Sequence, residues 1–193
     1  MSVQTSARSS ARDRLLAAAD ELFYQGGVHT VGIDRVIERA GVAKATLYSV
    51  FGSKEELIRS YLAARHVARQ ERMTRGLARY GTPRDRLLGA FDVLGEAIAE
   101  PGFRGCAFAN ASAEALPGSA AVQVSDESRA WLRSLFVELG HAAGAADPER
   151  LARQLVLLYD GASVAARMDR DPGAAAAAAR AAAATLLDAA VGS

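Results

Sequence analysis

The sequence predicts an all-α protein of roughly nine helices, and three observations carry this prediction. Apolar residues recur at helical spacing along almost the whole chain of 193 residues. The alternating patterns typical of strands are nearly absent. Glycine or proline stands at almost every point where a helical pattern stops. We therefore expect an N-terminal helix-turn-helix unit of three helices, followed by a larger helical domain.

The first two helices are predicted to end at glycines. Gly26-Gly27 ends the first, because glycine tolerates the left-handed backbone of a C-cap. The apolar stripe of this helix consists of Leu15, Ala18, Ala19, Leu22 and Phe23. The second helix ends at Gly41, and its apolar positions are Ile33, Val36, Ile37 and Ala40.

A short third helix precedes Gly52, and a long fourth helix follows it. Ser53 is the expected N-cap of the fourth helix, and Glu56 completes a capping box. This helix is predicted over about residues 54–79. Pro or Gly occurs in each break between the remaining helices, which are predicted at about 83–99, 104–115, 120–144, 148–169 and 173–190.

Charge, cysteine content and apolar runs limit the partners and the location that the chain can have. The net charge is +1, so any nucleic-acid surface must be a local patch. The single cysteine, Cys106, excludes an intramolecular disulfide and fits a reducing, cytoplasmic location. The N-terminus lacks the apolar core of a signal peptide, and no uninterrupted apolar run is long enough to span a bilayer, so we expect no membrane partner.

Catalytic and metal-binding signatures are absent from the sequence. His29, His66 and His141 are dispersed, with no pair at metal-ligand spacing. No phosphate loop, G-x-S-x-G or H-E-x-x-H motif occurs. Cys106 has no neighbouring base to make it a nucleophile, although redox sensing with a second thiol stays open. We expect no enzyme activity, no cofactor and no metal.

The stretch AGVAKATLYSVFGSK has the proportions of a helix-turn-helix. Its small core is predicted to contain Val36, Ile37, Val42, Leu47 and Phe51. The outward positions of the third helix are then Lys44, Ala45, Thr46, Tyr48 and Ser49. Such side chains suit a DNA major groove, where lysine donates to guanine, alanine contacts the thymine methyl, and hydroxyls reach phosphates.

Lys54 lies in the first turn of the fourth helix, where the helix dipole disfavours a cation. The same helix end has free N–H groups that bind anions. An arriving DNA phosphate would neutralise the lysine. A solvated surface charge is the alternative interpretation.

The segment GGVHTVGIDRVIERAGVAKATLYSVFGSKEELI resembles the DNA-binding segment of the TetR family of bacterial transcriptional regulators. The resemblance covers roughly residues 11–60. It implies that Lys44 and Ala45 contact bases, and that Thr46, Tyr48 and Lys54 contact phosphates. Gly32 and Ala43 replace the Ser or Thr that the family usually has before the second and third helices, so two helix caps are lost.

The N-terminal arm carries Arg8, Arg12 and Arg14, which could reach phosphates or the adjacent minor groove. A disordered, solubilising tail is the alternative. We place the DNA-binding domain at 1–55 and a helical effector-binding and dimerisation domain at 56–193.

Dimerisation is expected because one helix-turn-helix reads only a few base pairs. The resemblance also implies a four-helix bundle made by the last two helices of each chain. The predicted interface residues are Leu151, Leu155, Leu158, Tyr159, Ala162, Leu186 and Leu187. The alternative is that these stripes face the chain's own core. Asp160, inside this apolar helix, is expected to have a partner or to face solvent rather than to act in catalysis.

Large apolar residues of helices five to seven could fill a core or line an effector pocket. The Gly-Cys…Asn…Glu pattern resembles one near the effector pocket in a branch of the family. The predicted pocket residues are Phe91, Phe103, Cys106, Phe108, Asn110, Glu114 and Trp131. The alternatives are a buried apolar role for Cys106 and hydrogen bonds to a neighbouring loop for Asn110 and Glu114. The basic residues of the fourth helix are interpreted as a solvated face with buried stems, and they are Arg65, Arg69, Arg72, Arg75 and Arg79.

The sequence therefore predicts a homodimeric regulator that binds a palindromic double-stranded DNA operator and is released by a small-molecule effector, apolar or aromatic in character. The alternative is a helical small-molecule-binding protein whose helix-turn-helix is only structural. Salt-dependent binding to DNA separates the two.

Overall fold

The computed structural model describes residues 10–113 and 115–192, and within these ranges it contains nine α-helices and no strand. The predicted all-α class is confirmed. The helices are α1 Ala11–Gly26, α2 Ile33–Ala40, α3 Lys44–Phe51, α4 Lys54–Leu77, α5 Pro83–Ala99, α6 Ala107–Ser112, α7 Ala120–Ala142, α8 Pro148–Met168 and α9 Pro172–Val191.

Side-chain caps fix the start of most of these helices. The Ser10 hydroxyl accepts from the Asp13 backbone N–H at 3.1 Å, and the Asp13 carboxylate accepts from the Ser10 backbone at 3.2 Å. Ser53 accepts from the Glu56 N–H at 3.1 Å, as predicted. The Glu56 carboxylate instead accepts from Arg59 Nε at 3.3 Å, so only half of the predicted capping box is present there.

The helix-turn-helix lacks this support. Gly32 and Ala43 occupy the N-cap positions of α2 and α3, and neither helix has a side-chain cap hydrogen bond. Ala43 has φ −75° and ψ 151°, the extended backbone that a serine cap also adopts. The caps are therefore missing because glycine and alanine have no side-chain oxygen. The backbone at both positions already has the conformation of a capping residue.

Ala43→Ser is expected to raise the free energy of unfolding by about 0.5–2 kcal/mol, because the hydroxyl can accept from a free N–H in the first turn of α3. Chemical denaturation followed by circular dichroism measures the change. Ala45→Ser, two positions inside the same helix, is the matched control and should be neutral or slightly destabilising. Equal effects of the two variants would contradict the capping argument.

Two apolar cores meet along α4. The first joins α1, α2 and α3 to the start of α4, with Leu47 and Leu57 fully buried, and it extends to Phe108 of α6 and Val124 of α7. The second contains the end of α4 together with α5, α7, α8 and α9. The first core thus joins the helix-turn-helix, through α4, to α6 and α7. A boundary at 55/56 remains a prediction.

Helix α6 is shorter than its predicted span of 104–115 because the residues before it are held in a loop. Gly105 has φ +85°, a backbone conformation that interrupts a helix and that glycine adopts without strain. The Tyr24 hydroxyl of α1 donates to the Gly105 carbonyl at 3.0 Å and accepts from the Arg104 N–H at 2.9 Å. Helix α1 therefore fixes the loop that precedes α6.

The predicted dimer stripe of α8 faces the chain's own core. The fully buried members are Leu151, Leu155, Tyr159, Ala162 and, on α9, Leu187. Leu158 and Leu186 are partly buried against the same core. Packing in the chain's own core is the alternative that the sequence left open, and the position of a dimer interface stays a prediction, because α8 is apolar on two sides. The exposed stripe of α8 consists of Leu157, Gly161, Val164 and Met168.

Helix α9 is long and apolar enough to cross a membrane, by length and composition alone, and only 22% of the qualifying window is buried. Its buried side packs in the second core and consists of Ala176, Ala179, Ala183 and Leu187. Alanines dominate the uncovered side. The hydropathy of α9 therefore reflects an apolar face that a single chain leaves open.

Candidate nucleic-acid interface and adjoining cavity

Helix α3 is sorted into two faces as the sequence predicted. Leu47 and Phe51 are buried beneath it. Tyr48 is 45% exposed, and Thr46 is half-buried. Lys44, Ala45 and Ser49 are exposed on the same helix. A rigid apolar base thus supports a short face of small and polar side chains, and DNA contact by this face stays a prediction.

Lys44 is not free in this structure. Its Nζ donates to Asp34 Oδ1 of α2 at 3.0 Å, and this hydrogen bond raises the pKa of Lys44. Both side chains are largely exposed, at 57% and 80%. Because water screens such a pair, an approaching guanine or phosphate can exchange with Asp34.

Lys54 is the first residue of α4 and lies over the turn between α1 and α2. Its Nζ is 3.5 Å from the His29 carbonyl oxygen and 6.0 Å from the centre of the Phe23 ring. Partial burial lowers the pKa of Lys54. The carbonyl and the aromatic face offset the unfavourable helix dipole, which partly answers why a lysine is tolerated there. A phosphate bound at the same helix end would give Lys54 an anionic partner in addition to the carbonyl and the ring.

Arg12 and Arg14 belong to α1 rather than to an extended arm. The Arg12 guanidinium lies 5.5 Å from the centre of the Phe51 ring. Arg14 Nε donates to the Ala40 carbonyl at 3.2 Å. Both therefore pack along the helix-turn-helix, whereas Arg8 lies outside the described residues.

A cavity of about 900 Å³ lies between α1, α4, α5, α8 and the loop before α6. Phe103 and Cys106, two predicted pocket residues, line it. Phe108 lines a smaller pocket of about 210 Å³, to which Cys106 also contributes. Phe91 is instead fully buried in the second core, and Glu114 lies outside the described residues.

Trp131 and Asn110 line neither space. Trp131 packs against His66, with ring centres 5.6 Å apart. Asn110 Nδ2 donates to the Arg104 carbonyl at 2.9 Å, and its Oδ1 accepts from Arg167 at 3.1 Å. Asn110 thus makes the hydrogen bond to a neighbouring loop that was the alternative, and a pocket role for it stays a prediction.

The arginines of α4 do not share one solvated face. Arg65, Arg69 and Arg72 are half-buried, in keeping with the predicted buried stems, and they line the large cavity, which was not predicted. Arg75 and Arg79 are exposed and pair with Glu71 and Glu96. The spacing of the first three, at i, i+4 and i+7, was the available signal, because it places them on one side of the helix.

Arg65 ties α4 to α1. Its guanidinium donates to both oxygens of Asp20, at 2.6 and 3.0 Å, and stacks 3.8 Å from the centre of the Tyr24 ring. Such a bidentate and stacked arrangement is specific to arginine. The large cavity opens beside this joint, so a molecule bound there would contact both helices.

Comparison with known proteins identifies the fold and the family together. Residues 15–61 match the family described as bacterial regulatory proteins, tetR family. Residues 83–182, more than half of the chain, match the tetracyclin repressor-like C-terminal domain. The chain belongs to the TetR family of bacterial transcriptional regulators.

Two solved structures from Streptomyces are similar over nearly the whole TetR-family chain. A TetR-family regulator from Streptomyces coelicolor is 32% identical, with a TM-score of 0.88, and the match covers 94% of this chain and 96% of that one. A tetr-transcriptional regulator from Streptomyces avermitilis is 33% identical, with a TM-score of 0.79 and coverage of 94% and 98%. The family contains regulators of transcription rather than enzymes.

Three curated relatives match over short segments of 52 to 62 residues. The HTH-type transcriptional activator FasR of Mycolicibacterium smegmatis is 48% identical over 62 residues, which is 31% of this chain and 27% of that protein. The match spans about a quarter of the length of such relatives. Similarity over so small a share of each protein supports membership of a transcriptional-regulator family and carries no information about a bound small molecule.

A chain of hydrogen bonds connects the DNA-binding unit of this regulator to α8. It runs from Tyr24 of α1 to the backbone of Arg104 and Gly105, then through Asn110 of α6 to Arg167 of α8. Sequence reasoning missed this connection, because its members are about 80 and 57 positions apart along the chain. A movement of α8 can therefore displace α1 through polar contacts.

His66 of α4 lies at the centre of the joint between α4, α6 and α7. Its ring contacts Phe108 and Trp131, and its Nδ1 is buried without a hydrogen-bond partner among the described residues. Burial, and then the nearby Arg69 charge, lower the pKa of His66, which the Glu127 charge opposes. The imidazole is therefore held neutral where an exposed histidine would take up a proton.

Stability is expected to fall as the pH decreases below about 6.5, the ordinary pKa of histidine, because the unfolded chain then binds a proton that folded His66 resists. The contribution is fully present above that pH and is lost towards the lowered pKa of the folded state. Thermal denaturation between pH 7.5 and about 5 measures the slope. His66→Leu should flatten it, while His141→Gln, at an exposed site, should not. A slope unchanged in His66→Leu would contradict the assignment.

Proposed function

We propose that this TetR-family chain forms a homodimer that binds a palindromic operator and represses transcription until a small molecule releases it. The observation that carries the proposal is the outward face of α3, where Lys44, Ala45, Tyr48 and Ser49 are exposed on a buried apolar base. Thr46 and Lys54 flank this face as candidate phosphate contacts. Small and polar side chains of this kind allow a helix to approach base edges closely.

The dimer is proposed to form through the exposed faces of α8 and α9. Leu157 is 67% exposed, Val164 54% and Met168 79%, and Gly161 lies among them. The uncovered alanine face of α9 lies beside this stripe, because α8 and α9 pack along each other. Large apolar residues next to small ones suit a four-helix packing between two chains.

The effector is proposed to act at the large cavity, because residues of α1 and of the proposed dimer helix α8 both line this space. Leu16 and Ala17 of α1 line it on one side, and Tyr159 and Ser163 of α8 on another. A molecule that favours one arrangement of α1 relative to α8 would shift the spacing of the two recognition helices. Release from DNA is the consequence that we propose, and FasR, an activator, shows the alternative outcome in a relative.

Fluorescence anisotropy against the DNA upstream of the protein's own gene tests the proposal. The purified protein is titrated at about 50 and 200 mM salt, with a scrambled duplex as control. Sequence-selective, nanomolar binding that weakens steeply with salt is expected. If selection from random DNA also yields no preferred site, the helix-turn-helix is structural only and the chain is a small-molecule-binding protein.

A further inference from the structure

Arg69 is a half-buried cation that lacks an anionic partner. Its Nη1 donates to the Ser128 hydroxyl at 3.2 Å, and Ser128 is fully buried. No carboxylate among residues 10–113 and 115–192 lies within ion-pair distance of it. A guanidinium removed from water is normally paired with a negative charge, so the missing partner requires an explanation.

Aromatic rings enclose this guanidinium. Its central carbon lies 5.8 Å from the ring centres of Phe108 and Trp131 and 5.1 Å from that of Tyr159. These faces stabilise the positive charge but leave the N–H groups other than that to Ser128 available. Arg69 lines both the large cavity and the smaller pocket, so its free donors face space that a ligand can enter.

The other charged side chains that line the two spaces either have partners of their own or face solvent. Arg65 is neutralised by Asp20, and Arg72 lies 3.7 Å from Glu100. Of the other carboxylates of the large cavity, Glu21 pairs with Arg39, and Asp13 accepts from the Ser10 hydroxyl. Asp160 of the smaller pocket pairs with Arg129, which confirms that this aspartate has a partner. Asp126 lines the same pocket, is exposed to solvent and makes no ion pair with Arg69. Arg69 is thus the unneutralised arginine of the cavity walls within the described residues.

We infer that Arg69 binds the carboxylate of an organic acid with an apolar body, and that this acid is the effector class. The inference rests on the proposed function for its regulatory meaning, but the binding itself does not depend on DNA. The cavity provides apolar walls for the body of the ligand, among them Leu16, Leu94, Ala97 and Phe103. An arginine fork matches a carboxylate geometrically and selects it over a neutral hydroxyl.

Binding at Arg69 would act one helical turn from the joint between α1 and α4. Arg65, four residues earlier, holds Asp20 of α1, and the same cavity contains both arginines. An acid seated there adds a negative charge to a cavity that Arg65, Asp20 and the apolar residues Leu16 and Ala17 of α1 also line. The position of α1, and with it that of α3, therefore depends on occupancy.

Matched ligand pairs test the inference on the full chain. Octanoate is compared with 1-octanol, and 2-naphthoate with 2-naphthalenemethanol, by isothermal titration calorimetry at pH 7.5. Trp131, the only tryptophan of the sequence, reports octanoate binding beside Arg69 by its fluorescence. At least one acid should bind about tenfold or more tightly than its alcohol. If neither acid is preferred, the inference is wrong.

Two variants locate the binding. Arg69→Gln keeps a donor for Ser128 but removes the charge, and it should abolish the preference for the acid. Arg75→Gln removes an exposed arginine of the same helix that does not line the cavity, and acid affinity should change less than about twofold. Circular dichroism verifies that both are folded; should Arg69→Gln unfold, Arg69→Lys replaces it and should weaken the preference. Retained preference in a folded Arg69→Gln overturns the assignment.

The DNA titration separates this inference from the proposed function. Operator binding without acid binding refutes the inference and leaves the regulator intact. Acid binding at Arg69 by a chain that selects no DNA sequence supports the inference and refutes the proposed function. An acid that binds at Arg69 and lowers operator affinity supports both.

Discussion

Replacing Leu157 by arginine is expected to convert the dimer into a monomer and to remove tight operator binding. Leu157 is 67% exposed in one chain and lies near the middle of α8, at the start of its exposed apolar stripe. In a dimer that forms through this stripe, the arginine guanidinium would lose its hydration and lie against apolar side chains, without an anion to pair with it. The free energy lost is comparable to that of truncating a central interface residue.

The effect on DNA binding should be larger than the effect on folding. A monomer holds one half-site, whereas a dimer gains the second contact at a high effective concentration, so operator affinity should fall by about 10²- to 10⁴-fold. The substituted side chain faces solvent in the single chain, and its free energy of unfolding as a monomer should change little.

Sedimentation velocity at micromolar concentration and operator anisotropy measure these two effects. Leu116→Arg is the matched control, since Leu116 is 79% exposed but lies in the segment before α7, away from the stripe. It should remain dimeric and bind the operator normally. If Leu157→Arg remains dimeric, the dimer interface lies on another surface of the chain.

Most of the fold could be predicted from local signals. The ends of α2, α3, α5 and α8 agree with their predicted spans to within about one residue, because a cap, a glycine or a proline marks each of them. The predicted span of α6 was too long, because nothing in its own sequence reveals that Tyr24 holds the preceding loop. Local chemistry determines where helices end unless a distant contact overrides it.

The cavity could be predicted less well than the recognition helix. Each position of α3 has one of two environments, and helical spacing alone separates Leu47 from Tyr48. Helix α8 is packed internally on one side and apolar on the other, so spacing cannot choose between its two stripes. Likewise, Arg69 and Arg75 are equivalent in sequence, and only the tertiary structure distinguishes an arginine among aromatic rings from one in water.

Tyr48→Ala should weaken operator binding about 10²- to 10⁴-fold while the protein stays folded and dimeric. Tyr48 is exposed on α3 and supports no core contact that the fold requires, so its loss should not change the free energy of unfolding by more than about 0.5 kcal/mol. A hydrogen bond to a charged phosphate contributes about 1.5–3 kcal/mol, and a dimer makes it twice. Tyr48→Phe separates the hydroxyl from the ring and should show most of the loss if the phosphate bond dominates.

Lys54→Ala tests the lysine at the start of α4, and its expected effect is on the salt dependence of DNA binding. If Lys54 contacts a phosphate in each subunit, the slope of log affinity against log salt should become less steep by about two, equally for all sequences. Arg75→Ala, a cation farther along the same helix, should leave the slope unchanged. The bond to the His29 carbonyl is long at 3.5 Å, so its loss costs little stability. Unchanged affinity in both Tyr48→Ala and Lys54→Ala would mean that the operator is read by a surface other than α3 and the start of α4.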